Sequence, residues 1–344
     1  MLKPLIILIV FHHLTAFTLH AESEFKVMAW NIWGRLNQDK RYEVNEKSAR
    51  TRTIEIIKDS QADIITMIET YGSAATIAKQ LGYHHYTPSA KANLCIFSRY
   101  KLTNFGVLKG LSSFSYIRAT ARISPTQSVR IYCIWLTSRG RNLVEVKNKT
   151  LSDADYIKGD ANRHAMIQQF LNHPEVKKDL AMRDRIPVIV AGDFNCVSHL
   201  DYTAKSAREK LNYGRVFTST PTHAAMLDAR FTDTYRATNP LSQNTLGYTW
   251  TTVGKGYKWT PGKGFEIDTE NLQPERRGGY ARIDFIYSTG KNLKPMRSQV
   301  IKHYKKNTQH SFLEFPSDHA AVLTTFKLRV EEIKKVPETG RVTS

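Results

Sequence analysis

Residues 186–195 read IPVIVAGDFN, a β-branched apolar run that closes on a glycine, a carboxylate and an amide. The run has the pattern of a strand with at least one buried face. Gly192 adds backbone freedom, and Asp193 and Asn195 are residue types that suit the turn ending a strand. Whether these two only turn the chain or do chemistry at the strand end depends on what stands at the ends of the other strands.

Comparable runs recur along the chain. They are FKVMAWNI (25–32), ADIITMIE (62–69), NLCIFSR (93–99), SVRIYCIWL (128–136), PVIVAGDF (187–194), ARIDFIYS (281–288) and HAAVLTTFKL (319–328). Helical patterns fall between several of them. KSARTRTIEIIKDS sets Ile54 and Ile57 on one face, GSAATIAKQLG stops on a glycine, and DANRHAMIQQFLNH carries Ala165, Ile167, Phe170 and Leu171. Strands alternating with helices, followed by closely spaced strands, predict an α/β protein with mixed sheets. No internal repeat or linker divides residues 22–328, which read as one domain. Residues 253–280, rich in Gly and Lys, read as a long loop, and 329–344 as a polar tail.

A hydrophobic fraction of 41% with 24% charged residues excludes a disordered or fibrous chain. The formal net charge of +19 predicts attraction to polyanions, whether nucleic acid, an anionic lipid surface or a polyphosphorylated solute. Residues 1–21 have Lys3, an apolar run from Leu5 to Phe17 and Ala21 before a polar stretch, the layout of a signal peptide. The expectation is a secreted or periplasmic protein, with an uncleaved anchor as the alternative. The three cysteines, Cys95, Cys133 and Cys196, are too few and scattered for a disulfide framework. Cys95 and Cys133 sit in apolar runs and read as packing residues, and no disulfide pair is identified.

The strand ends share a chemistry. Asn31, Glu69, Asp193 with Asn195, Asp284, and Asp318 with His319 stand at or beside the termini of five separate segments. Singly, each has an ordinary role as a turn former, a cap or a solvated charge. Together they gather carboxylates, amides and an imidazole where α/β sheets collect ligands, and hard oxygen donors suit Mg²⁺, Mn²⁺ or Ca²⁺.

In this order, WNIWG, DIITMIET, VIVAGDFNCVSHLDYT, GYTWTT, ARIDFIYS and PSDHAAV resemble the endonuclease/exonuclease/phosphatase superfamily across roughly residues 25–328. The resemblance implies a four-layer αββα sandwich of two mixed sheets, with the site at one edge. It implies a phosphoesterase dependent on Mg²⁺, or alternatively Mn²⁺ or Ca²⁺, that hydrolyses phosphodiester bonds by in-line attack of activated water. Carried over, Glu69 and Asp318 are metal-site carboxylates, and Asn31 contacts metal-bound water or a phosphate oxygen. Asp193 activates the water, Asn195 bonds the phosphoryl group, and His319, held by Asp284, contacts a phosphoryl oxygen or assists proton transfer.

One position departs from the family pattern. Trp135 stands where many members have a histidine, and an indole transfers no proton. Arg139, Arg141, His164 and His199 are the candidate replacements from the following loops. Trp135, Arg139 and His199 are also expected to touch substrate, with CVSHLDYT on the cleft rim. Lys147, Lys149 and the cations of 255–277 give basic walls, and Tyr257, Trp259 and Phe265 offer stacking surfaces. The expected partner is a phosphoester substrate, nucleic acid first, with a lipid surface as a second possibility, met by a monomer. The readings left open are a phosphatase or phospholipase C-like hydrolase of inositol phosphates, phosphoinositides or sphingomyelin, and a catalytically silent binder.

Overall fold

A computed structural model describes residues 22–34, 48–140, 152–250, 257–260, 264–267, 281–304 and 315–329. Chain order begins β1 (Ser23–Asn31), α1 (Ala49–Ser60), β2 (Ile64–Ile68), α2 (Ala74–Leu81), β3 (His84–Tyr86), β4 (Cys95–Ser98), β5 (Leu102–Val107), β6 (Tyr116–Arg122) and β7 (Ser128–Trp135). It continues with α3 (Asp153–Gly159), α4 (Ala161–Asn172), α5 (Pro174–Ala181), β8 (Val188–Asp193), α6 (Ala204–Arg208), α7 (Pro221–Asp228), β9 (Thr232–Asp233) and α8 (Thr234–Thr238). The remaining strands are β10 (Tyr257–Thr260), β11 (Gly264–Ile267), β12 (Asp284–Thr289), β13 (Leu293–Ile301) and β14 (Ala321–Leu328).

Two six-stranded sheets result, ordered β13-β14-β1-β2-β4-β3 and β5-β6-β7-β8-β12-β9. Their wiring is the same. In each, the third and fourth strands are parallel (β1 with β2, β7 with β8), and every other neighbouring pair is antiparallel. A parallel pair needs a crossover, and α1 supplies one while α3, α4 and α5 lie in the other.

Side-chain alternation then sets the layers. Val27 and Ala29 of β1 meet Ile131, Cys133, Ile189 and Ala191 in a core between the sheets. Met28 and Trp30 point the other way, onto Ile54 and Ile57 of α1 and Ile77 of α2. On the second sheet, Val188 and Val190 face Ile167 and Phe170 of α4 and Val176 of α5. The product is an αββα sandwich of two mixed sheets. Local signals fix the helix ends: the Ser48 side chain accepts the Thr51 N–H at the start of α1, and Gly82 ends α2 at φ 70°.

Some expectations need correction. Residues 253–280 are not loop throughout, since β10 and β11 pair as a hairpin inside them. The buried face of α4 is Arg163, Ile167 and Phe170, while Ala165 is exposed. Arg163 is buried because Asp160 accepts its Nε–H at 2.9 Å. All three cysteines are buried and reduced. Residues 1–21 and 330–344, with Arg141, Lys147 and Lys149, lie outside the described residues.

Candidate active site

The parallel strands deliver the opening motif to its place. Gly192 packs so tightly on β7 that a Cβ there would sit 1.9 Å from the Ile134 carbonyl oxygen. Asp193 thereby ends β8 beside Trp135 of β7 on one side and Asp284 of β12 on the other. Asn31 ends β1 in the neighbouring sheet, opposite Ile68, one residue before Glu69. A cleft of about 510 Å³ opens over these ends, lined among others by Asn31, Trp33, Glu69, Trp135, Asp193, Asn195, Trp250, Asp318 and His319.

Hydrogen bonds join the side chains across the two sheets. Asn31 Nδ2 donates to Glu69 Oε1 and to Asp193 Oδ2, both at 3.1 Å. Its Oδ1 accepts the Trp33 N–H at 2.9 Å, so Asn31 turns its amide N–H groups toward the carboxylates. Asn195 donates its backbone N–H to Asp193 Oδ1 at 2.9 Å and its Nδ2 to Asp193 Oδ2 at 3.0 Å. His319 Nδ1 lies 2.9 Å from Asp284 Oδ2, and its Nε2 faces the cleft 4.0 Å from Asp318 Oδ1. Glu69 and Asn195 hold positive φ values of 62° and 53°. Asparagine tolerates that region readily, but for glutamate it is strained, a cost of about 1–2 kcal/mol. The Glu69 N–H bond to Asn93 Oδ1 at 2.9 Å helps hold it there.

Burial and crowding set the charges. Burial, reinforced by repulsion from Asp284, raises Asp193 to about 7 against the attraction of His319 and its bonds from Asn31 and Asn195. Burial likewise raises Asp318 to about 6, with Glu69 and Asp284 adding repulsion while His319 opposes. For His319, burial disfavours the imidazolium, but the combined pull of Asp284, Asp318 and Asp193 outweighs it and keeps the ring well above its usual pKa.

The residues fit a divalent cation. Among the described residues, the buried Oδ1 atoms of Asp284 and Asp318 have no hydrogen-bond partner, leaving acceptor capacity turned inward. At Gly34 a Cβ would meet Glu69 Oε2 at 3.2 Å, so the space beside this carboxylate is kept open by a glycine. Ligand atoms of Asp193, Asp284 and His319 also fall within 4.8 Å of one another. That trio is already partly satisfied, because Asp284 Oδ2 is taken by His319. Glu69 Oε2 and the free Oδ1 atoms of Asp284 and Asp318 are the carboxylate oxygens that could receive a cation.

Not every expected residue reaches the cleft. His199 is turned away, its Nδ1 3.0 Å from Thr220 Oγ1, and Asp201 is buried with Asp233 around the Arg282 guanidinium. This stretch of CVSHLDYT braces the fold instead of forming a rim. Ser138 and Gly140 line the cleft, whereas Arg139 between them is exposed to solvent. His164 sits on α4 beside Gln168. Trp135 does line the cleft. Conversely, sequence reasoning overlooked Asn93, Thr249 and Ser317. Thr249 Oγ1 accepts the backbone N–H of Asp284 at 3.1 Å, and Ser317 Oγ bridges the Asn31 carbonyl (2.6 Å) and the His319 N–H (3.0 Å). Thr249 and Ser317 belong to the quoted GYTWTT and PSDHAAV, whose signal was available; Asn93 acts on backbone groups and leaves no pattern.

The family model described as Endonuclease/Exonuclease/phosphatase family matches residues 28–319, and the chain belongs to this family of metal-dependent phosphoesterases with the DNase I-like fold. The uncharacterized protein F14F9.5 of Caenorhabditis elegans is 24% identical over 318 residues, 88% of this chain and 90% of that one. Among solved structures, TDP2 from C. elegans is similar with a TM-score of 0.54 at 18% identity, covering 88% of this chain and 75% of that one. An AP endonuclease from Archaeoglobus fulgidus gives 0.52 at 16% identity, covering 87% and 98%.

Proposed function

We propose that this chain is an exported phosphodiesterase that cuts nucleic acid, using Mg²⁺ or Mn²⁺ held by Glu69 and Asp318 with Asn31 beside them. The observation that carries the reading is the bonded line from Glu69 through Asn31 to Asp193, facing the His319–Asp284 pair across one cleft. A cation held there would neutralise charge gathering on the phosphoryl group. Asp193, held by Asn31 and Asn195, takes the proton of the attacking water; a carboxylate near neutrality is a competent base. Asn195 Nδ2 orients the phosphoryl oxygen, giving up one of its present acceptors, and the charged His319 donates Nε2–H to a developing oxyanion. Asp284 keeps the ring oriented. The +19 charge favours a polyanionic substrate, and removal of residues 1–21 before the 22–328 domain acts outside the cytoplasm accords with their composition.

The test is hydrolysis by the purified protein of bis-p-nitrophenyl phosphate, DNA, RNA, sphingomyelin and phosphoinositides, with Mg²⁺, Mn²⁺ or EDTA. Nucleic acid should be cleaved in a metal-dependent way, and Asp193→Ala and His319→Ala should each lower kcat by roughly a hundredfold or more. Cleavage of lipid or inositol phosphoesters alone would move the substrate to that class. No hydrolysis of any ester, with EDTA making no difference, would refute catalysis.

A further inference from the structure

An aromatic row that the chemistry above does not use starts in the cleft at Trp135 and runs out of it. Trp135 lines the cleft, and Phe114 meets the Trp135 ring edge-on, with centroids 5.2 Å apart at 90°. Tyr71 continues the row 6.4 Å beyond Phe114. Phe114 leaves 42% of its surface exposed and Tyr71 36%. Single exposed aromatics are ordinary, but a row of three that begins inside a catalytic cleft is not scatter.

Nor does the row hang on a loose segment. Asn93 accepts the Glu69 N–H at 2.9 Å and donates Nδ2 to the Phe114 carbonyl at 2.8 Å, indexing the ring to the cation-site carboxylate. The Trp135 N–H donates to the Ser115 carbonyl at 3.0 Å, and the Phe114 N–H reaches Ser112 Oγ at 3.3 Å. The backbone that carries Phe114 and Trp135 is thus fixed by hydrogen bonds, while Phe114 keeps ring surface in water.

Resting on the phosphodiesterase reading, we infer that Tyr71, Phe114 and Trp135 form a stacking wall for an unpaired nucleobase next to the scissile phosphate, so that the preferred substrate is single-stranded. A duplex turns its base faces toward each other, whereas an unpaired base offers a π-face to any aromatic ring. An acyl chain would be served equally by aliphatic side chains, and this row is aromatic throughout. Trp135 thus supplies surface at a position where the family pattern supplies a proton donor.

The experiment compares kcat/KM on a short single-stranded oligonucleotide, the same strand with abasic nucleotides flanking the cut, and the matching duplex. Wild-type protein should prefer the base-bearing single strand. Phe114→Ala and Phe114→Leu should lose roughly tenfold on that strand, the size of one lost base stack, and match wild type on the abasic strand. Phe114→Tyr should keep the wild-type rate. Equal slowing of both strands, no slowing of either, or a duplex cut as fast as the single strand overturns the wall while leaving phosphodiesterase activity standing. If wild type cuts none of the three, the underlying reading falls and the wall with it. Capture by phosphatidylcholine–phosphatidylserine vesicles that depends on Phe114, with oligonucleotide cleavage indifferent to it, assigns the wall to lipid and overturns the inference.

Discussion

At the scale of single residues, the cost of gathering acids in one cleft is measurable at Asp318. Burial, with repulsion from Glu69 and Asp284, raises its pKa in the folded chain to about 6. Because the folded value lies above the unfolded one, ionised Asp318 destabilises the fold increasingly between about pH 4 and pH 6, and fully above that. In EDTA near pH 7, Asp318→Asn should therefore be the more stable protein, by on the order of 1–3 kcal/mol, and melt at a higher temperature. Mn²⁺ should raise the melting temperature of the wild-type protein and do so weakly or not at all for the variant. A variant melting below wild type in EDTA would contradict this account. Asp318 was legible in the sequence because carboxylates at strand ends are conspicuous against apolar runs. Asn93 was not, since it works through backbone N–H and carbonyl groups that any loop residue also has.

At the scale of elements, the contact between β7 and β8 is tightly constrained. Gly192 has the Ile134 carbonyl where a Cβ would go, so Gly192→Ala must push β8 away from β7, displacing the strands that carry Trp135 and Asp193. The expected loss is about 3 kcal/mol or more in urea denaturation, with activity falling in the folded fraction as well. A variant within about 0.5 kcal/mol of wild type would show that the strands separate at little cost. Most interior strands were readable because burial on both faces writes a continuous apolar run, but β6, interrupted by Arg118, was not marked. The edge strands β5 and β13 expose much of their length and carry polar residues such as Asn104, Lys294 and Arg297, so periodicity did not mark them. On α4 the apolar stripe misled, because a paired arginine occupies one of its buried positions.

At the scale of the whole molecule, His223 of α7 opposes the stability that Asp193 and Asp318 gain when acid protonates them. Its ring is buried against Phe194 and Phe285, with Nδ1 2.7 Å from the Tyr287 hydroxyl of β12. Burial lowers its pKa to about 4 against the attraction of Asp160. The unfolded chain takes up this proton first, so the contribution of His223 is complete above about pH 6.5 and is lost as the pH falls toward 4. Between neutrality and pH 5 His223 should subtract about 2 kcal/mol from the gain that protonating Asp193 and Asp318 brings, so His223→Gln should gain that much on wild type as the pH falls. An unchanged slope in the variant would overturn this role for His223. The shared wiring of the two sheets was beyond sequence reading, because it rests on pairings between distant segments.

One of those pairings has a consequence for how the molecule comes to exist. β1 pairs on one side with β14, Ser23 opposite Leu328, so among the described strands the first made waits for the last. Until β14 docks, β1 offers an open edge, and long-range closure of this kind is slow and exposed to misassociation. His319 and Asp318 travel with that final strand. A nascent or shortened chain thus has neither a closed first sheet nor a complete cleft, and activity and structural completion arrive in the same late event.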